Sequence, residues 1–183
     1  MKKLLFMAFA VCMLAAASFA QGANYSGTWK LDVEKSTFSG PARIESMTLT
    51  VAQTDKDIKV DTMTKRAAPP ADAPAGGPPG GGRGRGGFGG GDGSVTYTLD
   101  NKETKVEVDG PMGKVPVTYK GSAETDGSLK LSSSRTFSGP QGEVTTTTKE
   151  TWKLSADGKM LTVDRESTSP RGAQTSKLVF SKS

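Results

Sequence analysis

Apolar side chains recur at every second position through most of this chain, and that period limits what it can fold into. Trp29, Leu31 and Val33 alternate with Lys30, Asp32 and Glu34. Met47, Leu49 and Val51 alternate with Thr48 and Thr50, and Ile58 and Val60 with Lys59 and Asp61. Val95, Tyr97 and Leu99 alternate with Thr96 and Thr98. The beat continues through Val106 and Val108, then Val115, Val117 and Tyr119, then Leu129 and Leu131. It runs on from Val144 to Leu154, through Leu161 and Val163, to Leu178 and Phe180. Successive side chains of an extended strand point to opposite faces, so each stretch reads as a strand with one apolar and one wet face. This gives about ten short strands, and at most one helical turn fits between Glu34 and Pro41.

Turn formers separate the strands: Asp100-Asn101, Gly110-Pro111, Asp126-Gly127, Gly139-Pro140 and Asp157-Gly158. A turn centred on Asp157-Gly158 sets Leu154 opposite Leu161, Trp152 opposite Val163 and Glu150 opposite Arg165. A turn centred between Pro140 and Gln141 sets Phe137 opposite Val144, Leu131 opposite Glu150 and Leu129 opposite Trp152. A turn at Asn101-Lys102 sets Tyr97 opposite Val106 and Val95 opposite Val108. Apolar residues meet on one face throughout, and a one-residue slip would invert every pair. Such neighbour-to-neighbour pairing is an up-and-down meander. The expected fold class is therefore all-β: a single antiparallel β-barrel of about 8–10 strands, with a two-sheet β-sandwich as the alternative. Lys30, Lys59, Lys105, Glu107, Lys149, Lys153 and Glu166 fall on the outer face, which opposes an outer-membrane barrel with its apolar exterior.

Two segments stand apart from this pattern. Residues 1–20 begin Met1-Lys2-Lys3, continue through an apolar run and end Ser18-Phe19-Ala20, which reads as a secretory signal peptide cleaved before Gln21. Residues 67–93 hold 12 Gly and 5 Pro in 27 residues. They read as a disordered insert, because they offer too little apolar surface to offset the entropy of ordering. The barrel is then expected from residues 21–66 and 94–183 together.

The single cysteine, Cys12, lies within the leader, and the chain has no histidine. An exported form would thus lack disulfides, a thiol nucleophile, Cys/His zinc ligands and a Ser-His-Asp triad. The formal net charge of +5 includes Lys2 and Lys3, and the remaining charges are mixed along the chain. That reads as a solvated surface rather than a nucleic-acid footprint, even with Arg83 and Arg85 in the Gly-rich segment. No later stretch has the roughly 20 apolar residues of a membrane helix, so the expected location is periplasmic or extracellular.

Tyr25-Ser26-Gly27-Thr28-Trp29-Lys30-Leu31 resembles the first strand of calycins, the lipocalins and fatty-acid-binding proteins, whose barrels open on Gly-x-Trp. With the meander behind it, the resemblance extends over the chain after the leader, apart from the insert. It also reaches secreted bacterial proteins described only as lipocalin-like. It implies that Gly27 and Trp29 plug one end of the barrel. It also implies that a small hydrophobic or amphiphilic molecule binds inside without catalysis or cofactor. Two features depart from the pattern. The last strand, Lys177-Leu178-Val179-Phe180, lacks the Arg-x-Tyr that holds a fatty-acid carboxylate. The nearest candidate for the lipocalin Arg that packs on the Trp is Arg171, in a loop. Thr-Trp-Lys-Leu recurs at Thr151 to Leu154, as expected of two amphipathic strands with similar needs.

Three charges share the inward phase: Arg135 with Leu129 and Leu131, Glu150 with Trp152 and Leu154, and Arg165 with Leu161 and Val163. A buried charge needs a partner. One reading is an anchor in which Glu150 orients Arg165, and Arg135 or Arg165 grips a carboxylate or phosphate. Another is a Glu150–Arg165 pair that binds nothing, and a third is a bulge that turns Arg135 outward. Tyr97 and Tyr119, also inward, complete the expected ligand-binding set. Asp126-Gly127 and Asp157-Gly158 are explained as hairpin turns without calcium, and no metal site is expected. The remaining alternatives are a carboxylate-based hydrolase built around Glu150, and an envelope or extracellular protein acting through its surface and insert.

Overall fold

The computed structural model describes residues 23–39, 44–67, 92–110, 113–139, 142–170 and 172–183. Residues 1–22, which include the segment read as a signal peptide, and nearly all of the Gly/Pro-rich segment lie outside the described residues. Within them are ten strands and no helix: β1 (Gly27–Thr37), β2 (Ile44–Gln53), β3 (Asp57–Arg66), β4 (Gly93–Thr98), β5 (Asp100–Gly110), β6 (Gly113–Ala123), β7 (Leu129–Gly139), β8 (Gly142–Leu154), β9 (Met160–Ser169) and β10 (Gly172–Lys182). Gly93, assigned to the insert from its composition, opens β4 and pairs with Thr62.

All ten strands form one antiparallel sheet in the order β4-β3-β2-β1-β10-β9-β8-β7-β6-β5. It is a single sheet curled into a nearly closed barrel, not two stacked layers. Strands on both sides of the insert belong to it. Chain neighbours pair except at β4 and β5, and β1 pairs with β10 to join the two ends of the chain.

The turn residues set the register of the long hairpins. Leu154 pairs with Leu161, Trp152 with Val163 and Glu150 with Arg165. Phe137 pairs with Val144, Leu131 with Glu150 and Leu129 with Trp152. Asp157 accepts hydrogen bonds from Lys159 N at 3.1 Å and Ser155 Oγ at 2.6 Å, while Gly158 takes a φ of 66°. Asp126 does the same for Ser128, with Gly127 at a φ of 81°.

The hairpin expected at Asn101-Lys102 does not form. Tyr97 pairs with Ile58 and Val95 with Val60, while Val106 pairs with Val117 and Val108 with Val115. Only Leu99 separates β4 from β5, and its amide donates to Lys56 O at 2.7 Å. That bond ties the corner to the β2–β3 turn, and β5 turns away toward β6. The wall is closed at this seam by side-chain packing and close backbone approach, not by a ladder. Gly121 of β6 makes the approach possible: a Cβ there would sit 2.7 Å from Thr98 O and 3.1 Å from Tyr97 Cβ.

The apolar core fills one end of the barrel. Tyr25, Trp29, Leu49, Ile58, Val60, Trp152, Leu161, Val163 and Phe180 are wholly inaccessible to solvent there. Toward the other end the same inner face changes to Thr62, Ser133, Thr148 and Glu150, all buried.

Candidate ligand-binding interior

The plugged end is built on three aromatic residues. Trp29 Nε1 donates to Tyr25 O at 2.8 Å. The Tyr25 hydroxyl lies between two carbonyls, Trp152 O at 2.9 Å and Gly127 O at 3.0 Å, and shares its one proton with them. Its ring meets Trp152 edge-on, with centroids 6.1 Å apart. Burial, and secondarily the nearby Asp126, pushes the Tyr25 phenol up to about 12. Lys182 lies over the Trp29 ring with Nζ 5.1 Å from its centroid. Gly27, at a φ of 134°, leaves room for that side chain, because a Cβ would stand 2.8 Å from Lys182 Cε. Sequence reasoning missed Tyr25 and Lys182. Tyr25 precedes the first strand and has no phase. Lys182 continues the inward alternation of Leu178 and Phe180, a signal that was present.

Above the plug lies a polar layer. Glu150 is only 4% exposed, and both of its oxygens are engaged. Oε1 accepts from Arg165 Nε at 2.7 Å and Oε2 from Trp152 Nε1 at 2.9 Å. Burial nonetheless raises its carboxyl above the ordinary value, against the opposing pull of Arg165 and Trp152. Tyr97 and Tyr119 pack edge to face, with ring centroids 5.3 Å apart. Burial drives the Tyr97 phenol well above its usual value. The charge of Glu150 and the neighbouring Tyr119 add to this, while Arg165 and Arg135 oppose it. Arg135 keeps an unbroken register between Val117 and Thr146, so no bulge turns it outward. The five residues singled out from the sequence, Tyr97, Tyr119, Arg135, Glu150 and Arg165, thus come from five strands into one electrostatic neighbourhood.

Beyond this layer the inner face meets solvent again. Val106 (38% exposed), Phe137 (40%) and Val144 (36%) share the inner face by register with Val117, Leu131 and Glu150. These are apolar side chains on the core side of the sheet that the core does not cover.

A groove of about 940 Å³ is lined by Leu131, Glu150 and Arg165 together with residues that alternate with the core positions. Lys120, Ser132, Lys149, Glu166 and Thr175 stand side by side across β6 to β10. They give a mixed-charge surface without an aromatic platform. Among the described residues no cluster of His, Cys, Asp or Glu is placed to hold a metal ion.

The fold is that of the calycins. The zebrafish ileal bile acid-binding protein, solved in complex with cholic acid, superimposes with a TM-score of 0.50 over 87% of this chain and 98% of its own, at 14% sequence identity. No protein-family model matches the sequence, and no curated protein matches it.

Proposed function

We propose that this protein binds a small amphiphilic anion in its barrel, without catalysis, after export through a cleaved leader. The observation that carries the reading is the gradient along the inner face. An apolar aromatic end leads to a layer with the buried Glu150 carboxylate and the half-buried Arg135 and Arg165, and then to an exposed apolar rim at Val106, Phe137 and Val144. An apolar rim on the core side of a sheet offers surface to a ligand's hydrocarbon. The Arg135 and Arg165 layer offers charge-assisted hydrogen bonds to its acidic head. Glu150 occupies Arg165 Nε and orients that side chain. The likeness to a bile acid-binding protein supports the same class of ligand, an acid with a large apolar body.

The test uses dodecanoate and dodecanol as matched probes, read by displacement of a fluorescent anilinonaphthalene sulfonate. Arg135→Met is expected to weaken dodecanoate about tenfold and leave dodecanol within twofold, as for loss of one charge-assisted bond. Equal binding of both probes by wild type and variant would overturn the anion reading. Failure of both probes to bind would overturn the interior-binding reading itself. The export reading is checked by the mature N-terminus, expected at Gln21.

A further inference from the structure

We propose that Thr62 and Thr64 form a second polar subsite inside the barrel, so that the preferred ligand carries a hydroxyl on its apolar body as well as an acidic head. This deepens the amphiphile reading and rests on it.

Both threonines lie on β3 in phase with Ile58 and Val60, and they pair with the core residues Leu49 and Met47. They therefore belong to the inner wall. Thr62 is only 8% exposed. Among the described residues, Thr62 Oγ1 and Thr64 Oγ1 are the buried side-chain polar atoms that find no hydrogen-bond partner. Other inward hydroxyls are matched, as Thr148 is by Ser167 at 3.2 Å. Valine has nearly the same shape and would continue the apolar run from Ile58 and Val60. An unmatched buried hydroxyl is a cost that valine would avoid, so its presence at two successive inward positions calls for a partner outside the wall.

Placement agrees. On β4 the residue opposite Thr62 is Gly93, which contributes no side chain on that flank. Rotation about χ1 exchanges the threonine hydroxyl and methyl, so the group can turn to a ligand without backbone movement. In the sheet order β3 stands five places from β8. In a ring of ten strands that is the facing wall. Hydroxyls on β3 thus oppose the charged layer on β7, β8 and β9. A plain fatty acid would satisfy the charged wall only, whereas a hydroxylated acid satisfies both.

Stearate and its 9-, 10- and 12-hydroxy derivatives are the probes, titrated calorimetrically into wild type and the double variant Thr62→Val/Thr64→Val. Wild type is expected to bind the best hydroxystearate at least about tenfold more tightly than stearate, a typical value for one well-made hydrogen bond. The double variant should bring the two within twofold without weakening stearate, and its ligand-free melting temperature should hold or rise. Tight stearate binding by wild type with no preference among the isomers would overturn the subsite and leave the cavity reading standing. A fall in the ligand-free melting temperature of the variant would also overturn it, because the hydroxyls would then be serving the fold. If no probe binds, the proposed function and the subsite fall together.

Discussion

Glu150 is the residue on which the interior turns. It is buried, doubly hydrogen-bonded, and joined to Arg165 at 2.7 Å. Glu150→Gln turns an amide N–H toward one of the two donors, Arg165 Nε or Trp152 Nε1, and is expected to cost about 2–3 kcal/mol near neutral pH. The pH dependence of that cost has a definite sign. Burial raises the Glu150 carboxyl, so the folded chain holds its proton more tightly than the unfolded chain. The stability it contributes is fully present below the unfolded value near 4.5 and declines as pH rises through the folded value. The surface carboxylates Asp32, Asp61, Asp100, Glu124, Asp126 and Asp157 run the other way. Each is held below its ordinary value chiefly by a donated hydrogen bond, as Ser128 does for Asp126. Those contributions are common to both proteins and cancel in the difference. The stability gap between wild type and Glu150→Gln should therefore narrow from about pH 4 to pH 7 in urea titrations. A gap that widened would reverse the assigned shift. Alternation alone placed Glu150, Arg165 and Arg135 on the inner face, because phase is a property of the strand. It could not give the Trp152 Nε1–Glu150 bond, which depends on rotamers. Nor could it separate Thr62 and Thr64 from the many threonines that merely favour strands.

Hairpins are the elements best written in the sequence. Asp157-Gly158 and Asp126-Gly127 carry their own turn chemistry, and a turn centre fixes every pair along both arms. The β4–β5 corner defeats that logic. Asn101-Lys102 has the composition of a turn, and Asn101 does take a φ of 62°. But the corner is decided from outside, by Lys56 O on Leu99 N and by the approach of β6. Gly121 carries that approach, which is invisible until β6 is known to lie against β4. Its missing side chain matters because the obstructing atom is a backbone oxygen that cannot swing aside. Gly121→Ala is expected to destabilise the barrel by about 2 kcal/mol, with the loss read from the urea midpoint at unchanged slope. Unaltered stability would mean that the seam is held elsewhere. In contrast, a Cβ at Gly27 meets the flexible end of Lys182, so there the positive φ is the stricter demand.

At the scale of the whole molecule, one apolar face per strand and pairing between chain neighbours were enough to give a curled single sheet. The sequence left open where the ring would be joined. Eight of the nine ladders link strands adjacent along the chain, and the ninth, β1 with β10, links its two ends. Ser183 N reaches Thr28 O at 2.9 Å, so the start and finish of the barrel touch. The molecule is therefore a ribbon of ten strands whose edges are β4 and β5, threaded from its middle. Opening the backbone after Leu99 and bridging Ser183 to the residues before Gly27 would give a permuted chain in which order along the polymer matches order across the sheet. Every ladder except β3–β4, which spans the Gly/Pro-rich segment, would then close a short loop, and the late, distant encounter of β1 with β10 would vanish from the folding route. Such a permutant should keep the parent's far-ultraviolet spectrum and refold faster in stopped-flow experiments, since the entropy of closing that long loop no longer delays it.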